Sequence, residues 1–222
     1  MANPVRQMRI LRWAPLTGIV YVVLFIVGII LVDGGRPDAD APPSKVIPYY
    51  QHGSHRDRVH LGTLLVLIGV FFLIWFVGAL RELVRSYAGD GILATVTGVG
   101  GGVYAALTLA GVSVEDAIYT MSDDTYHHEV YPGLIHAAND LGYTLHSLGG
   151  VGIGAMIVAV SLAALRARAL PTWLGWLSVF AGIVSIFAFA FFPWFVIAIW
   201  LIVASVLTTR AFGRISAAAA PG

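Results

Sequence analysis

The 222-residue sequence predicts an all-α, polytopic membrane protein with six transmembrane helices and both termini on the cytoplasmic side. Hydrophobic residues make up 58% of the chain and charged residues only 11%, which is typical of integral membrane proteins. Six apolar stretches approach or exceed the roughly 20 residues that cross about 30 Å of hydrocarbon. Arginines recur at every second boundary between these stretches, as expected where a chain returns to the same side of a membrane.

The predicted spans cover residues 14–32, 61–80, 91–112, 146–165, 172–192 and 194–209. The first follows a basic segment and therefore also resembles a secretory signal peptide, with "ADA" at 39–41 as a cleavage site. Its apolar run is too long for that, and "ADA" lies well beyond its end, so we predict a retained first span. The last two spans meet near Pro193 and are predicted to form a tight helical hairpin.

The distribution of charge predicts the orientation. Nine of the thirteen basic residues fall on one side of the six-span arrangement: Arg6, Arg9, Arg12, Arg81, Arg85, Arg166, Arg168, Arg210 and Arg214. The positive-inside rule assigns this side to the cytoplasm. Ten of the twelve acidic residues and all seven histidines then lie on the external side or at its membrane edge.

Two polar segments, 33–60 and 113–145, are predicted to be external, and neither is a separate soluble domain, so residues 1–222 form a single transmembrane domain. The first opens with Gly, Pro and Asp, which predicts an irregular loop. In the second, Pro132 suits the first residue of a helix. That helix could run to Leu165, at roughly 50 Å, and would then project beyond the membrane or break near Gly149–Gly150.

Glycine-rich stretches occur in spans three and four, as "GVGGGVYAA" (98–106) and "GGVGIGA" (149–155). Small residues let helices approach closely in lipid. The sequence therefore favours packing of these two spans against each other.

The polar stretch "TYHHEVYPGLIHAANDLGYTLH" (125–146) contains four of the seven histidines. On a helix, His136, Asp140, Tyr143 and Ser147 form one stripe, because their spacings of 4, 3 and 4 follow the helical repeat. Asn139 and His146 lie on its flank. This stripe is too polar to face lipid, so it points into the bundle or into external water.

Imidazole and carboxylate groups together suit a divalent transition metal. The candidate ligands are His52, His55, His127, His128, Glu129, His136, Asp140 and His146. No HExxH motif is present, and a hydrogen-bonded polar network at the membrane edge explains the same residues without a metal. Haem is a weaker alternative, with His60 and His146 as candidate axial ligands on facing helices.

Other functions remain open at this point. The histidines beside acids could respond to external pH. Asp140, Glu115 and Asp116 are candidate catalytic acids for chemistry on a lipid-like or isoprenoid substrate. A channel or carrier would have to use the threonines and Tyr104 of span three, because spans one, five and six carry no charge near mid-membrane.

Several classes are excluded. The absence of cysteine excludes disulfides, thiolate metal sites, iron–sulfur clusters and thiol catalysis. No block of like charge indicates a nucleic-acid partner. The chain has no GxSxG motif, and residues 98–106 lack the Lys and Ser/Thr of a phosphate loop.

The stretches "LRWAPLTGIVYVVLFIVGIILV", "FFLIWFVGALRELVR" and "ALPTWLGWLSVFAGIVSI" resemble a broad group of uncharacterised bacterial multi-pass membrane proteins. In that group a Pro-x-Trp-Leu-Gly-Trp motif begins the penultimate span; here it covers residues 171–176. The resemblance implies about six helices and no established activity.

The leading expectation is a non-enzymatic protein of the bacterial plasma membrane, a sensor or accessory subunit that binds a metal or small ligand in its external layer. Its candidate partners are the lipid bilayer and another membrane protein or a second copy of the chain. The alternative is a membrane-embedded enzyme, either metal-dependent or acid-initiated.

Overall fold

The structure is a computed structural model that describes residues 13–38, 41–123, 127, 129 and 131–218, with side chains described as far as Arg214. This part of the chain is all-helical and contains no strand. The α-helices are α1 (Thr17–Asp33), α2 (Pro43–Gln51), α3 (Gly53–Ala88), α4 (Ile92–Met121), α5 (Pro132–Arg166), α6 (Thr172–Ser185) and α7 (Pro193–Ala218). Short 3₁₀ turns at Ala14–Leu16 and Ala188–Ala190 precede α1 and α7.

Five of the helical segments are long and apolar enough to cross a membrane: those of α1, α3, α4, α5 and α7. The prediction of an all-α protein with membrane-spanning helices is confirmed at this level. Helix α6, which corresponds to the predicted fifth span (172–192), has only 14 residues. At 1.5 Å per residue it is about 21 Å long.

The ends of the bundle differ in composition. The end where α1 and α4 finish and α3 and α5 begin carries α2 and the described histidines, and we call it the histidine end. The opposite end carries the described arginines in the last turns of α3, α5 and α7 and in the turn after α5, and we call it the arginine end. There Arg85 pairs with Glu82 at 3.0 Å and with Asp90 at 3.2 Å.

The prediction of an irregular loop in the first polar segment is wrong for most of its length. Of the described residues between α1 and α2, only 34–38, 41 and 42 lie outside a helix, and α3 begins at Gly53 rather than near residue 61. Val46, Tyr49 and Tyr50 share one face of α2 and pack in a buried cluster with Ile118 and Tyr119. That small apolar face stabilises a helix that contains Pro48.

The second polar segment is also largely helical, because α4 continues to Met121 and α5 begins at Pro132. Pro132 occupies the first turn of α5, as predicted. This helix of 35 residues does not break at Gly149–Gly150 and is about 52 Å long at 1.5 Å per residue. It therefore extends beyond the roughly 30 Å of a hydrocarbon core.

The predicted packing of spans three and four is confirmed, because α4 and α5 share the most extensive contact of any pair of described helices. At the crossing, a Cβ added to Gly100 would lie 2.5 Å from the carbonyl oxygen of Gly152. A Cβ added to Gly152 would lie 2.7 Å from the carbonyl oxygen of Gly100. The two backbones touch, and any larger residue would separate them.

Helix α6 is tied to its neighbours by both glycines and hydroxyls. Gly154 and Gly182 bring α5 and α6 into backbone contact. Ser161 of α5 and Ser178 of α6 are 2.5 Å apart between their Oγ atoms. Trp200 of α7 donates its indole N–H to Ser178 Oγ at 2.6 Å, so one serine connects three helices.

Candidate polar site at the histidine end

Arg36 joins the two polar segments of the sequence. It lies just after α1, and its guanidinium contacts the Asp33 carboxylate at 3.2 Å. It also donates to the side-chain oxygen of Asn139 on α5 at 3.4 Å. Burial alone would lower the pKa of Arg36, but Asp33 and Glu115 raise it above its ordinary value overall, so the guanidinium stays charged.

Tyr50 of α2 extends this connection. Its hydroxyl accepts a hydrogen bond from the Asn139 amide at 3.3 Å, and its ring lies 4.7 Å from that of Tyr119, centroid to centroid. Burial raises the pKa of Tyr50, so it is a neutral phenol near physiological pH. Arg36, Asn139 and Tyr50 therefore form a chain of hydrogen bonds across the 33–60 segment, α2 and α5.

A cavity of about 200 Å³ lies beside this chain. Its polar lining consists of Arg36, Asp38, Tyr50, His136, Asn139, Asp140 and Tyr143. The stripe predicted on α5 therefore faces the other polar segment for three of its four members. The fourth, Ser147, is buried deeper in the bundle, and its hydroxyl has no hydrogen-bond partner among the described residues.

Two further contacts join the polar segments outside the cavity. His60 of α3 and Asp116 of α4 lie 2.8 Å apart between Nδ1 and Oδ1. Arg56 donates to the carbonyl oxygen of Ser122 at 3.1 Å. The histidine end is thus held together by polar contacts between residues far apart in the sequence.

The predicted metal ligands do not assemble in the part of the chain that the structure describes, where no three His, Asp or Glu side chains lie close enough to hold a metal ion. His136 and Asp140 share the cavity. His55 instead stacks on Tyr49 at 4.3 Å, and its ring lies 5.1 Å from that of His52. His127 and Glu129 are exposed, and His128 lies outside the described residues.

His60 and His146, the candidate haem ligands, have different surroundings. His60 is partly exposed and pairs with Asp116. His146 is buried, with its ring 6.2 Å from those of Phe25 and Trp194, both edge to face. Its Nε2 has no hydrogen-bond partner among the described residues.

The three candidate catalytic acids lie in three different environments. Asp140 is exposed and lines the cavity, whereas Asp116 pairs with His60. Glu115 is only 7% exposed and lies against α5, where a Cβ on Gly142 would be 2.6 Å from Glu115 Cγ. Among the three, only Asp140 is placed to meet a molecule in the cavity.

Arg36, Tyr50 and Asn139 are the residues that sequence reasoning missed as members of the site. Asn139 was visible only as a flank of the predicted stripe. Arg36 had one usable signal: it is one of the four basic residues on a side that carries ten acids. Its particular partners depend on how the chain folds between α1 and α2, which periodicity does not predict.

Comparisons of the chain with protein-family models, with curated protein sequences and with solved structures find no match. The resemblance carried by residues 171–176 therefore stays a prediction.

Proposed function

We propose that the protein is a six-span bacterial plasma-membrane protein whose histidine end faces outward and holds a small polar ligand, as a sensor or as an accessory subunit of a membrane complex. The observation that carries the proposal is the cavity between Arg36 and the His136–Asp140–Tyr143 face of α5. Both termini are on the cytoplasmic side in this proposal, because the arginine end follows the positive-inside rule.

The position of the α6–α7 turn supports a sixth crossing. The Tyr143 hydroxyl, near the histidine end, donates to the carbonyl oxygen of Phe189 at 2.6 Å. Just beyond, Trp194 stacks on Phe25 of α1 with ring centroids 6.1 Å apart. Together with its following 3₁₀ turn, α6 therefore extends from the arginine end to the level of the cavity.

Cysteine labelling tests both the orientation and the number of spans, because the chain contains no cysteine. Gly133, Gly91 and Gly213 are matched sites, since an added Cβ at each would meet nothing within 4 Å. We expect a membrane-impermeant maleimide to label the Gly133→Cys variant in intact cells. The Gly91→Cys and Gly213→Cys variants should be labelled only after lysis.

Each departure from that pattern contradicts a different part of the proposal. Labelling of Gly91→Cys but not Gly133→Cys in intact cells would reverse the orientation. Labelling of both Gly133→Cys and Gly213→Cys in intact cells would mean that α6 does not cross. The parent chain is the control, because it has no thiol to react.

The lining of the cavity indicates the chemistry of its ligand. The Arg36 guanidinium contacts Asp33 and Asn139 through its two terminal nitrogens and keeps further N–H groups that suit a carboxylate or another small acid. Asp140 can accept hydrogen bonds from an ammonium or hydroxyl group, and Tyr143 offers a hydroxyl. The volume of 200 Å³ is below the about 300–1,000 Å³ of sites for drug-sized molecules. We therefore propose a small ligand that carries both an acidic and a hydrogen-donating group.

Thermal unfolding of the purified protein with a panel of free amino acids and hydroxy acids tests this ligand class. A ligand at about 100 times its Kd stabilises the folded state by about 2.7 kcal/mol, so we expect a clear rise in Tm for at least one compound. The Asp140→Asn variant should lose most of that rise, whereas the Asp57→Asn variant should keep it, because Asp57 is exposed and lies outside the cavity lining.

A panel that leaves the Tm of the parent protein unchanged would contradict the proposed ligand class, as would an unaltered response of Asp140→Asn. A parallel titration with Zn²⁺ and Mn²⁺ alone tests whether the ligand is a metal ion rather than an organic acid. If a metal rather than an organic acid stabilises the protein through His136 and Asp140, both His136→Gln and Asp140→Asn should abolish the rise.

A further inference from the structure

A second, larger cavity runs along α6 and α7 from the arginine end to Phe192 and is separate from the polar site. It has a volume of about 640 Å³ and lies between α6 and α7, with α3 and α5 behind it. Its walls are mostly apolar, including Leu174 and Leu177 of α6 and Val203 of α7. Helix α6 contacts α5 much more extensively than it contacts α7, so the cavity is a cleft between two neighbouring helices that separate.

The floor of this cleft is fixed by hydrogen bonds. Ser161, Ser178 and Trp200 all line it, and they connect α5, α6 and α7. Ser161 also donates to the carbonyl oxygen of Ile157 at 2.7 Å. Because these groups satisfy one another, the floor of the cleft does not require a polar ligand.

The mouth of the cleft is cationic. Arg210 and Arg214 line it and lie one helical turn apart on α7, and both are exposed. Among the described residues, no carboxylate lies within 4.0 Å of either guanidinium, since the acids of this end, Glu82 and Asp90, pair with Arg81 and Arg85. An apolar slot with two unpaired cations at its mouth matches an amphiphile with an anionic head.

We propose that this cleft is a binding site for an anionic phospholipid, with one acyl chain between α6 and α7 and the phosphate against Arg210 and Arg214. The volume of the cleft lies in the range of about 300–1,000 Å³ typical of small-molecule sites. Lys and Arg near a membrane surface attract anionic headgroups, and Arg can bind a phosphate oxygen pair through its fork. A zwitterionic lipid fits the apolar slot equally well but lacks the net negative charge that the mouth selects.

Native mass spectrometry of the full chain tests the site by counting lipids that remain bound after exchange into mixed phosphatidylglycerol and phosphatidylcholine. We expect one phosphatidylglycerol to be retained preferentially. Neutralising both cations in an Arg210→Gln, Arg214→Gln variant should reduce that preference by about 10- to 30-fold. The Arg210→Lys, Arg214→Lys variant should keep most of it, because both charges remain.

Two matched variants separate the site from general attraction of lipids to a basic surface. Arg166→Gln removes an exposed arginine of the same end that does not line the cleft, and it should leave the preference unchanged. Ala181→Trp places a large ring inside the cleft and should reduce retention of both lipids. Equal retention of the two lipids by the parent protein, or equal loss in Arg166→Gln and in the double glutamine variant, would overturn the proposal.

Discussion

Replacement of Gly100 by alanine should destabilise the protein by forcing α4 and α5 apart. The new Cβ would lie 2.5 Å from the carbonyl oxygen of Gly152 and 3.0 Å from the backbone nitrogen of Met156. Both obstacles are backbone atoms of α5, so a rotamer change cannot relieve the clash, and the two helices must move apart. Overpacking of this kind typically destabilises by about 1–3 kcal/mol. We expect that loss in the free energy of unfolding, measured by thermal or denaturant unfolding in detergent micelles.

The chain provides a close control two residues away. Gly102 lies on the same helix but is exposed, and an added Cβ there would meet nothing within 4 Å. Alanine is favoured over glycine in a helix by up to about 1 kcal/mol, so Gly102→Ala should leave stability unchanged or raise it. If Gly100→Ala and Gly102→Ala unfold alike, the close contact between α4 and α5 is not the source of stability.

The number and order of the helices follow from properties that are local in sequence. An apolar run of about 20 residues can satisfy its backbone in lipid only as a helix, so the positions of the five long helices were predictable. Glycines in spans three and four likewise indicated which helices approach closely, since small residues remove the side chains that would separate two backbones.

The ends of the helices were less predictable, because polar composition does not distinguish a loop from a helix that projects into water. The segment 43–51 contains two prolines and a lysine, and it is helical because Val46, Tyr49 and Tyr50 bury one face. The extension of α3 back to Gly53 is another case, since its first turns are polar and carry no apolar stripe long enough to be recognised.

Only the α5 residues of the site were predictable from the sequence. The helical repeat placed His136, Asp140 and Tyr143 on a common face, and the structure has them lining one cavity. Arg36 comes from a non-helical stretch whose path is set by tertiary contacts, and Tyr50 comes from α2, a helix that the sequence did not predict. Neither residue could therefore be assigned from spacing. Residue type did not identify the neighbours of His55, because His55 stacks on Tyr49 instead of joining His136 or His146 of α5.

Replacement of Arg36 by glutamine should destabilise the histidine end and abolish ligand binding. The guanidinium pairs with Asp33, lies within electrostatic range of Glu115 and donates a hydrogen bond to Asn139. Its side chain is 27% exposed, so water screens part of the loss. We therefore expect a destabilisation of about 1–3 kcal/mol, below the about 3–5 kcal/mol for removing one partner of a fully buried pair. Hydrogen exchange should increase in α2, because Tyr50 would lose its ordered partner.

A second substitution distinguishes the charge of Arg36 from its packing. If part of the loss arises because Glu115 is left without a counter-charge, Glu115→Gln should partly restore the Arg36→Gln variant, giving a coupling of about 0.5–3 kcal/mol in a double-mutant cycle. Arg36→Lys should keep the charge but lose the forked geometry, so it should restore stability more than ligand binding. In the parent chain, Lys45→Gln, which removes an exposed cation of the same end, should change neither stability nor ligand binding. Additive effects of Arg36→Gln and Glu115→Gln would mean that Arg36 acts through Asp33 and Asn139, and the proposed interaction between Arg36 and Glu115 would be wrong.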